Sequence, residues 1–332
     1  MTWMVWRQHR NQAYFAAVAL AAFATLLLIT GAQIASEYHS ALLGCAASHT
    51  CGTLASRLTL GTPLLSLLVN LTLVVPCLLG TFWGGPLVAR ELETGTSQFA
   101  WTQSVTRVRW LTVTTAWMLL AAAAWGGAIS ALVTWWSGPF NALNHQRFQP
   151  GDFDIQGIAP IGYSLFAVAL GIAAGTLLRR TLPALAVTVG GYIAVRIAVA
   201  EFIRPHYLAA QTLTYKLAFG SPMHGLTGSS WLISRSITGP GGQAPGNGLS
   251  GAVGVSIDGV PISHLPAACK SLLSHDPVGV FSCLSAHGYR GVMTYQPGSR
   301  YWAFQGIETG IFVVLAAALI AVAVFVIARR DA

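Results

Sequence analysis

PLLSLLVNLTLVVPCLLGTFWGGPLV, residues 63–88, contains no charged side chain, and Arg90, Glu91 and Glu93 follow it at once. An α-helix rises about 1.5 Å per residue, so about 20 apolar residues cross the hydrocarbon core of a bilayer. The stretch therefore reads as a membrane span that stops where the charges begin, with Pro76 marking a kink. Five more stretches qualify: residues 14–34, 111–136, 158–178, 182–203 and 303–328. The first is too long in its apolar part for a cleaved signal peptide, and no convincing small-residue cleavage site closes it.

Composition agrees. The chain has 332 residues, of which 54% are hydrophobic and only 8% charged. Soluble domains carry about 25% charged residues, so most of this chain must face lipid or pack inside a bundle. The net charge of +8 does not point to nucleic acid, because the basic residues are scattered rather than gathered on one face.

Their positions follow the membrane instead. Arg7, Arg10, Arg90, Arg107, Arg109, Arg179, Arg180, Arg329 and Arg330 fall in one set of short segments, and only Arg57 and Arg147 in the opposite short loops. Positive charge collects on the cytoplasmic side, so both termini are expected there. Trp110, Trp135, Trp136, Tyr301 and Trp302 sit at span ends, as interfacial aromatics do.

The expected fold is an all-α membrane protein of six transmembrane helices. Residues 1–13 form a cytoplasmic interfacial amphipathic helix, with Trp3, Trp6, Arg7 and Arg10 at helical spacing; a plain positive anchor would look similar. Residues 14–203 hold helices one to five, with a cytoplasmic loop at 89–110. Residues 204–302 form a large extracellular loop, partly β and partly irregular. Residues 303–332 hold helix six and a cytoplasmic tail. In the large loop, Asp258-Gly259 between Val253–Ile257 and Val260–Ile262 is a hairpin signal.

The loop after the second span, ARELETGTSQFAWTQSVTRVRW (residues 89–110), carries the most information. It breaks at Gly95, and Thr96 or Ser97 can cap a short helix whose sticky face is Phe99, Trp101 and Val105. Read on physics alone, an ordinary connector with a solvated charge cluster fits equally well. The segment nevertheless resembles the signature of ABC-2 type (type V) exporter permeases, in which the second helix ends in an Arg-Glu-x-Glu-x-Gly-Thr-like run. Arg90, Glu91, Glu93, Gly95 and Thr96 match it, and residues 82–88 and 101–107 are similar to drug-resistance and antibiotic-export permeases.

That resemblance implies a transmembrane permease that moves an amphipathic compound (drug, antibiotic or lipid-like) outward across a bacterial inner membrane. It implies a coupling helix formed by Arg90, Glu91, Glu93, Gly95, Thr96, Phe99, Trp101, Val105 and Arg107, docked on a separate P-loop ATPase. Two ATPase copies, carrying the ATP and Mg, would work with two permease copies, as a homodimer or a related heterodimer. The chain departs from the family in its large last exterior loop.

No catalytic or cofactor-binding motif is expected on the chain. It has no Gly-Lys-Ser/Thr, no His-Glu-x-x-His and no Gly-x-Ser-x-Gly. Gly246-x-Gly248-x-x-Gly251 reads as loop composition, since it opens no helix. Cys45–Cys51 and Cys269–Cys283 are expected as local disulfides, with metal binding by the first pair plus His39 and His49 as the alternative. Cys77 reads as a packing residue. Arg196 and Glu308 are charges inside spans at matching depth, so they can pair. Gly80/Gly84, Gly171/Gly175 and Gly306/Gly310 read as small-residue packing faces. A secondary transporter and a membrane-anchored sensor or ectodomain-presenting protein remain the rival readings.

Overall fold

The computed structural model describes residues 2–48, 63–94, 106–139, 141, 147–217, 230–240, 256–257, 260–261, 266–272 and 275–330. Two compact units emerge: residues 1–204 with 302–332, and residues 205–301.

The first unit is helical. Its elements are α1 (Thr2–Ser48), α2 (Pro63–Leu79), a π turn (Gly80–Gly84), α3 (Gly85–Thr94), α4 (Arg107–Trp136), α5 (Pro150–Ile155), α6 (Ala159–Leu178) and α7 (Thr181–Ala198). A second π turn (Val199–Ile203) and a short 3-10 turn (Arg204–His206) extend α7, and α10 (Tyr301–Arg330) closes the chain. Among the described residues, six helical stretches are long and apolar enough to cross a membrane: Ala17–Ser40, Asn70–Arg90, Val108–Trp136, Ala159–Leu178, Thr181–His206 and Gly298–Arg329.

The first helix differs from the sequence expectation. It runs unbroken from Thr2 to Ser48, so residues 2–13 are continuous with the span, and helix continues past Ile34 where a loop was expected. Residues 35–48 lack proline and are rich in alanine, so nothing in the backbone stops the helix.

The helix α6 is the axis of the bundle, buried along most of its length. Glycines let α2–α3 cross it closely. A Cβ added at Gly171 would lie 2.5 Å from the Gly80 carbonyl oxygen, and one at Gly175 would lie 2.8 Å from that of Gly85. Conversely, a Cβ at Gly84 would lie 2.5 Å from the Val168 carbonyl. Thus two of the three expected small-residue faces pack against each other. The third packs against nothing among the described residues: a Cβ at Gly306 or Gly310 would meet nothing within 4 Å. Below the glycine crossing, Val88, Leu111, Ala122, Val168, Ile172 and Ala323 form one core cluster. Ala89, Ala174 and Ala184 form a second, narrow seam between α3, α6 and α7.

The second unit is a small α/β body. Its strands are β1 (Gln211–Lys216), β2 (Trp231–Thr238), β3 (Ser256–Ile257), β4 (Val260–Pro261) and β5 (Arg290–Gln296), and its helices α8 (Ala267–Lys270) and α9 (Pro277–Ala286). The sheet order β1-β5-β2 is antiparallel, with β5 central. Strands β3 and β4 pair antiparallel, Ile257 opposite Val260, on either side of Asp258-Gly259. Leu217, Ile237, Cys269, Val280 and Leu284 form its core, and a Cys269–Cys283 disulfide ties α8 to α9. Both ends of the unit are held together: Gln296 Nε2 donates to the Leu208 carbonyl and Arg300 Nη1 to that of Ala209, each at 2.7 Å.

Candidate functional site

Four charged side chains meet in the helical unit: Arg196 on α7, Arg204 just past the second π turn, Asp154 on α5 and Glu308 on α10. The π turn explains why both arginines share one face. Residues eight apart lie about 80° apart around a regular helix; a π turn absorbs one extra residue, which reduces the offset to about 20°.

Arg204 presents one guanidinium edge to Glu308, with Nε 2.7 Å from Oε2 and Nη2 2.6 Å from Oε1. The same Nη2 reaches Asp154 Oδ1 at 2.5 Å. Arg196 bridges the two acids from the other side, with Nη1 3.1 Å from Glu308 Oε1 and Nη2 3.0 Å from Asp154 Oδ2. Tyr163 on α6 donates its hydroxyl to Glu308 Oε1 at 2.7 Å. Its ring carries the Arg196 guanidinium 3.7 Å from the centroid, and Arg204 lies over the Phe153 ring at 4.6 Å.

Two positive and two negative charges cancel, which suits a place without solvent. Glu308 is completely buried and Arg204 nearly so, while the Arg196 and Asp154 side chains keep 12% and 13% exposure. The network thus has a dry end and a damp end. One buried donor, Arg204 Nη1, has no hydrogen-bond partner among the described residues. Desolvating such a cluster costs several kcal/mol per ion, so it is better evidence of a specified arrangement than of net stability.

Gln305, one turn before Glu308, fixes the frame. Its Oε1 accepts from the Ile158 and Ala159 amides at 2.9 and 2.7 Å, satisfying two N–H groups at the start of α6. Its Nε2 donates to the Phe153 and Gln156 carbonyls at 3.0 and 3.1 Å. The amide thereby uses its full hydrogen-bonding capacity and joins α10 to α5 and α6. Nearby, Asp152 on α5 is half-buried, and burial pushes its carboxyl up from the usual value.

Of the residues expected from sequence, the structure brings Arg196 and Glu308 within 3.1 Å. Arg204, Asp154, Tyr163 and Gln305 were not anticipated. Arg204 lay one residue beyond the expected end of the fifth span, out of phase with Arg196 on a regular helix. Asp154 lay in what read as a loop.

At the other end of α7 the expected coupling segment is partly visible. Arg90 is exposed near the end of α3. Glu93 does not point outward alone: its Oε2 accepts from the Thr181 amide at 3.0 Å and from the Thr181 hydroxyl at 2.6 Å. It thus satisfies a free N–H in the first turn of α7. These hydrogen bonds, the hydroxyl's above all, hold the Glu93 carboxyl below its usual range. The turn joining α6 to α7 is tight, with Arg179 in the left-handed region at φ 53° and its amide donating to the Gly175 carbonyl at 3.0 Å. Gly95, Thr96, Phe99, Trp101 and Val105 lie outside the described residues, as do the side chains of Glu91 and Arg107. The Cys45–Cys51 pairing lies outside them too.

Six apolar helices, one of them the buried axis α6, make this a multi-pass membrane protein. A family model described as ABC-2 membrane transporter related matches residues 17–204, more than half of the chain, and the chain belongs to that family. Comparison with curated proteins and with solved structures gave no match.

Proposed function

We propose that this chain is the permease subunit of an ATP-driven exporter in a bacterial inner membrane, with both termini cytoplasmic. Membership of the ABC-2 membrane transporter related family carries the reading. Two permease copies work with two copies of a separate P-loop ATPase, which binds the ATP and Mg, and an amphipathic compound moves outward. The loop between α3 and α4 receives the force of ATPase closure through Phe99, Trp101 and Val105, seated in a groove of that partner. Glu91, Arg90 and Arg107 set its charge.

The Glu93–Thr181 contact supports a route for that force. It ties the end of α3, next to the loop, to the first turn of α7, whose far end carries Arg196 and Arg204. A push on the loop tilts α7 and loads the ion network, which clasps α5, α6, α7 and α10 at the outer side until the closure energy parts them.

The test is reconstitution with the ATPase. Phe99→Ala with Trp101→Ala weakens ATPase co-purification and abolishes export while the helical bundle stays folded. Glu91→Ala lowers export per ATP more than it lowers assembly. Intact assembly, hydrolysis and export in all these variants would refute the coupling role.

A further inference from the structure

The Cys269–Cys283 disulfide has a neighbour that a purely structural crosslink does not need. His287 Nδ1 lies 3.8 Å from the Cys269 sulfur and 3.8 Å from the Cys283 sulfur. Cys283 and His287 stand four residues apart, one turn along the C-terminal end of α9, and Cys269 faces them from α8. All three ligand atoms lie within 4.8 Å of one another. Burial is graded: Cys269 is buried, Cys283 half-buried and His287 exposed.

We propose that the reduced form of this trio binds a soft divalent ion such as Zn2+, and that the disulfide is the closed, metal-free state of the same site. The distances favour it. In a tetrahedral zinc site with Zn–S near 2.3 Å and Zn–N near 2.0–2.1 Å, sulfur and nitrogen stand about 3.6 Å apart and two sulfurs about 3.8 Å apart. The imidazole nitrogen already sits close to the first value from both sulfurs. Only the two sulfurs must separate once their bond is broken, and Cys283 has solvent on one side into which to move.

The chemistry balances. A dithiol reductant gives two electrons and two protons to the Cys269–Cys283 bond and leaves as its own disulfide. The ion then displaces both thiol protons and takes the Nδ1 lone pair of a neutral imidazole. In the oxidised state Nδ1 is 2.9 Å from the Cys283 carbonyl, the separation of an Nδ1–H donor. Metal binding therefore moves the ring proton to Nε2, which the exposure of His287 allows. Three protein ligands leave the fourth position open to water or to a further ligand. Two thiolates and an imidazole select zinc-like ions over magnesium or calcium.

The experiment uses the full chain in lipid nanodiscs carrying Cys45→Ser, Cys51→Ser and Cys77→Ser, so that only this pair can respond. The protein is reduced with a phosphine, freed of it without air, checked for two titratable thiols, and titrated with Co2+ alone. The proposal expects one Co2+ per chain with thiolate-to-cobalt charge-transfer absorption, and no such absorption from the oxidised chain. His287→Ala changes an exposed residue and should weaken binding by more than about 100-fold, the upper range for losing a mere outer-shell partner. Two free thiols without cobalt absorption would overturn the proposal. So would unchanged affinity in His287→Ala.

Discussion

Arg204 and Glu308, 104 residues apart in sequence, meet edge to edge, and each guanidinium–carboxylate contact is 2.6–2.7 Å long. This is the driest contact of the network, and the other charges arrange themselves around it. Arg196 completes the neutralisation from the damp side, and Tyr163 adds a third donor to Glu308 Oε1.

Removing one member should therefore hurt more than removing a matched pair. Glu308→Ala leaves two guanidinium groups sharing the single carboxylate of Asp154, and a cost of about 3–5 kcal/mol is expected. Arg204→Ala should cost a similar amount. The double variant should be less destabilised than the sum of the two, as should Arg196→Ala combined with Glu308→Ala. Unfolding of the three single variants, Arg196→Ala included, and the two double variants in nanodiscs reads the coupling. Strict additivity would show that the pairs do not interact.

Gln305→Leu keeps the bulk and removes four hydrogen bonds. Two amides at the start of α6 and two carbonyls near α5 lose their side-chain partner. Each stranded group costs about 1–3 kcal/mol, so the variant should fold poorly or not at all. Gln305→Glu tests the same frame more gently: it keeps the acceptor toward Ile158 and Ala159 but loses the two donors, and should retain part of the stability. Protease resistance of α5 and α6 distinguishes the two outcomes.

Gly171→Ala should be severe while Gly306→Ala should be silent. The first puts a methyl group against the backbone of Gly80, Gly84 and Gly85, where nothing flexible can yield. Overpacking of this kind costs about 1–3 kcal/mol or more. The second adds a methyl group that meets none of the described residues within 4 Å. Thermal unfolding of the isolated permease should separate them. An equal effect at both positions would contradict the packing described.

Glu93 gives a pH dependence with a definite sign. Its carboxyl titrates lower in the folded chain than in the unfolded one. The contact therefore contributes stability above the unfolded carboxylate pKa, and that contribution is lost as pH falls through the lower folded value. Since the side chain is exposed, the effect is a local one on the α3–α7 contact. Amide exchange at Thr181 should quicken below the ordinary carboxylate range in the natural chain. In Glu93→Gln it should be quicker at neutral pH and lose this acid step. An unaltered acid step in Glu93→Gln would assign the sensitivity elsewhere.

The spans were legible because their signal is length and apolarity, which need no partner. All six described helices lie close to their expected positions, and errors fall at the ends, most of all in α1, where an alanine-rich continuation carries no stop signal. The ion network was only half legible. Arg196 and Glu308 announced themselves as charges inside spans at matching depth. Arg204 and Asp154 did not, because their approach depends on a π turn and on a six-residue helix, neither of which leaves a periodic trace. The disulfide between Cys269 and Cys283 followed from proximity in sequence, but His287 beside it did not. Glu93 was read as a charge for a partner, and its use as a cap for α7 depends on a tertiary contact with Thr181.

A π turn is what a helix makes of one supernumerary residue, and the turn at Val199–Ile203 accommodates one. Deleting one residue there, Ala200 for instance, would restore a continuous α-helix without disturbing the apolarity of the span. It would leave the second arginine seven residues after Arg196 and still about 20° from it, whereas straightening the turn without a deletion would swing Arg204 by about 100°, away from Glu308. The widened turn and a helix one residue shorter therefore aim the second arginine alike, and a one-residue gap at this place is compatible with keeping Arg204 and both its acidic partners.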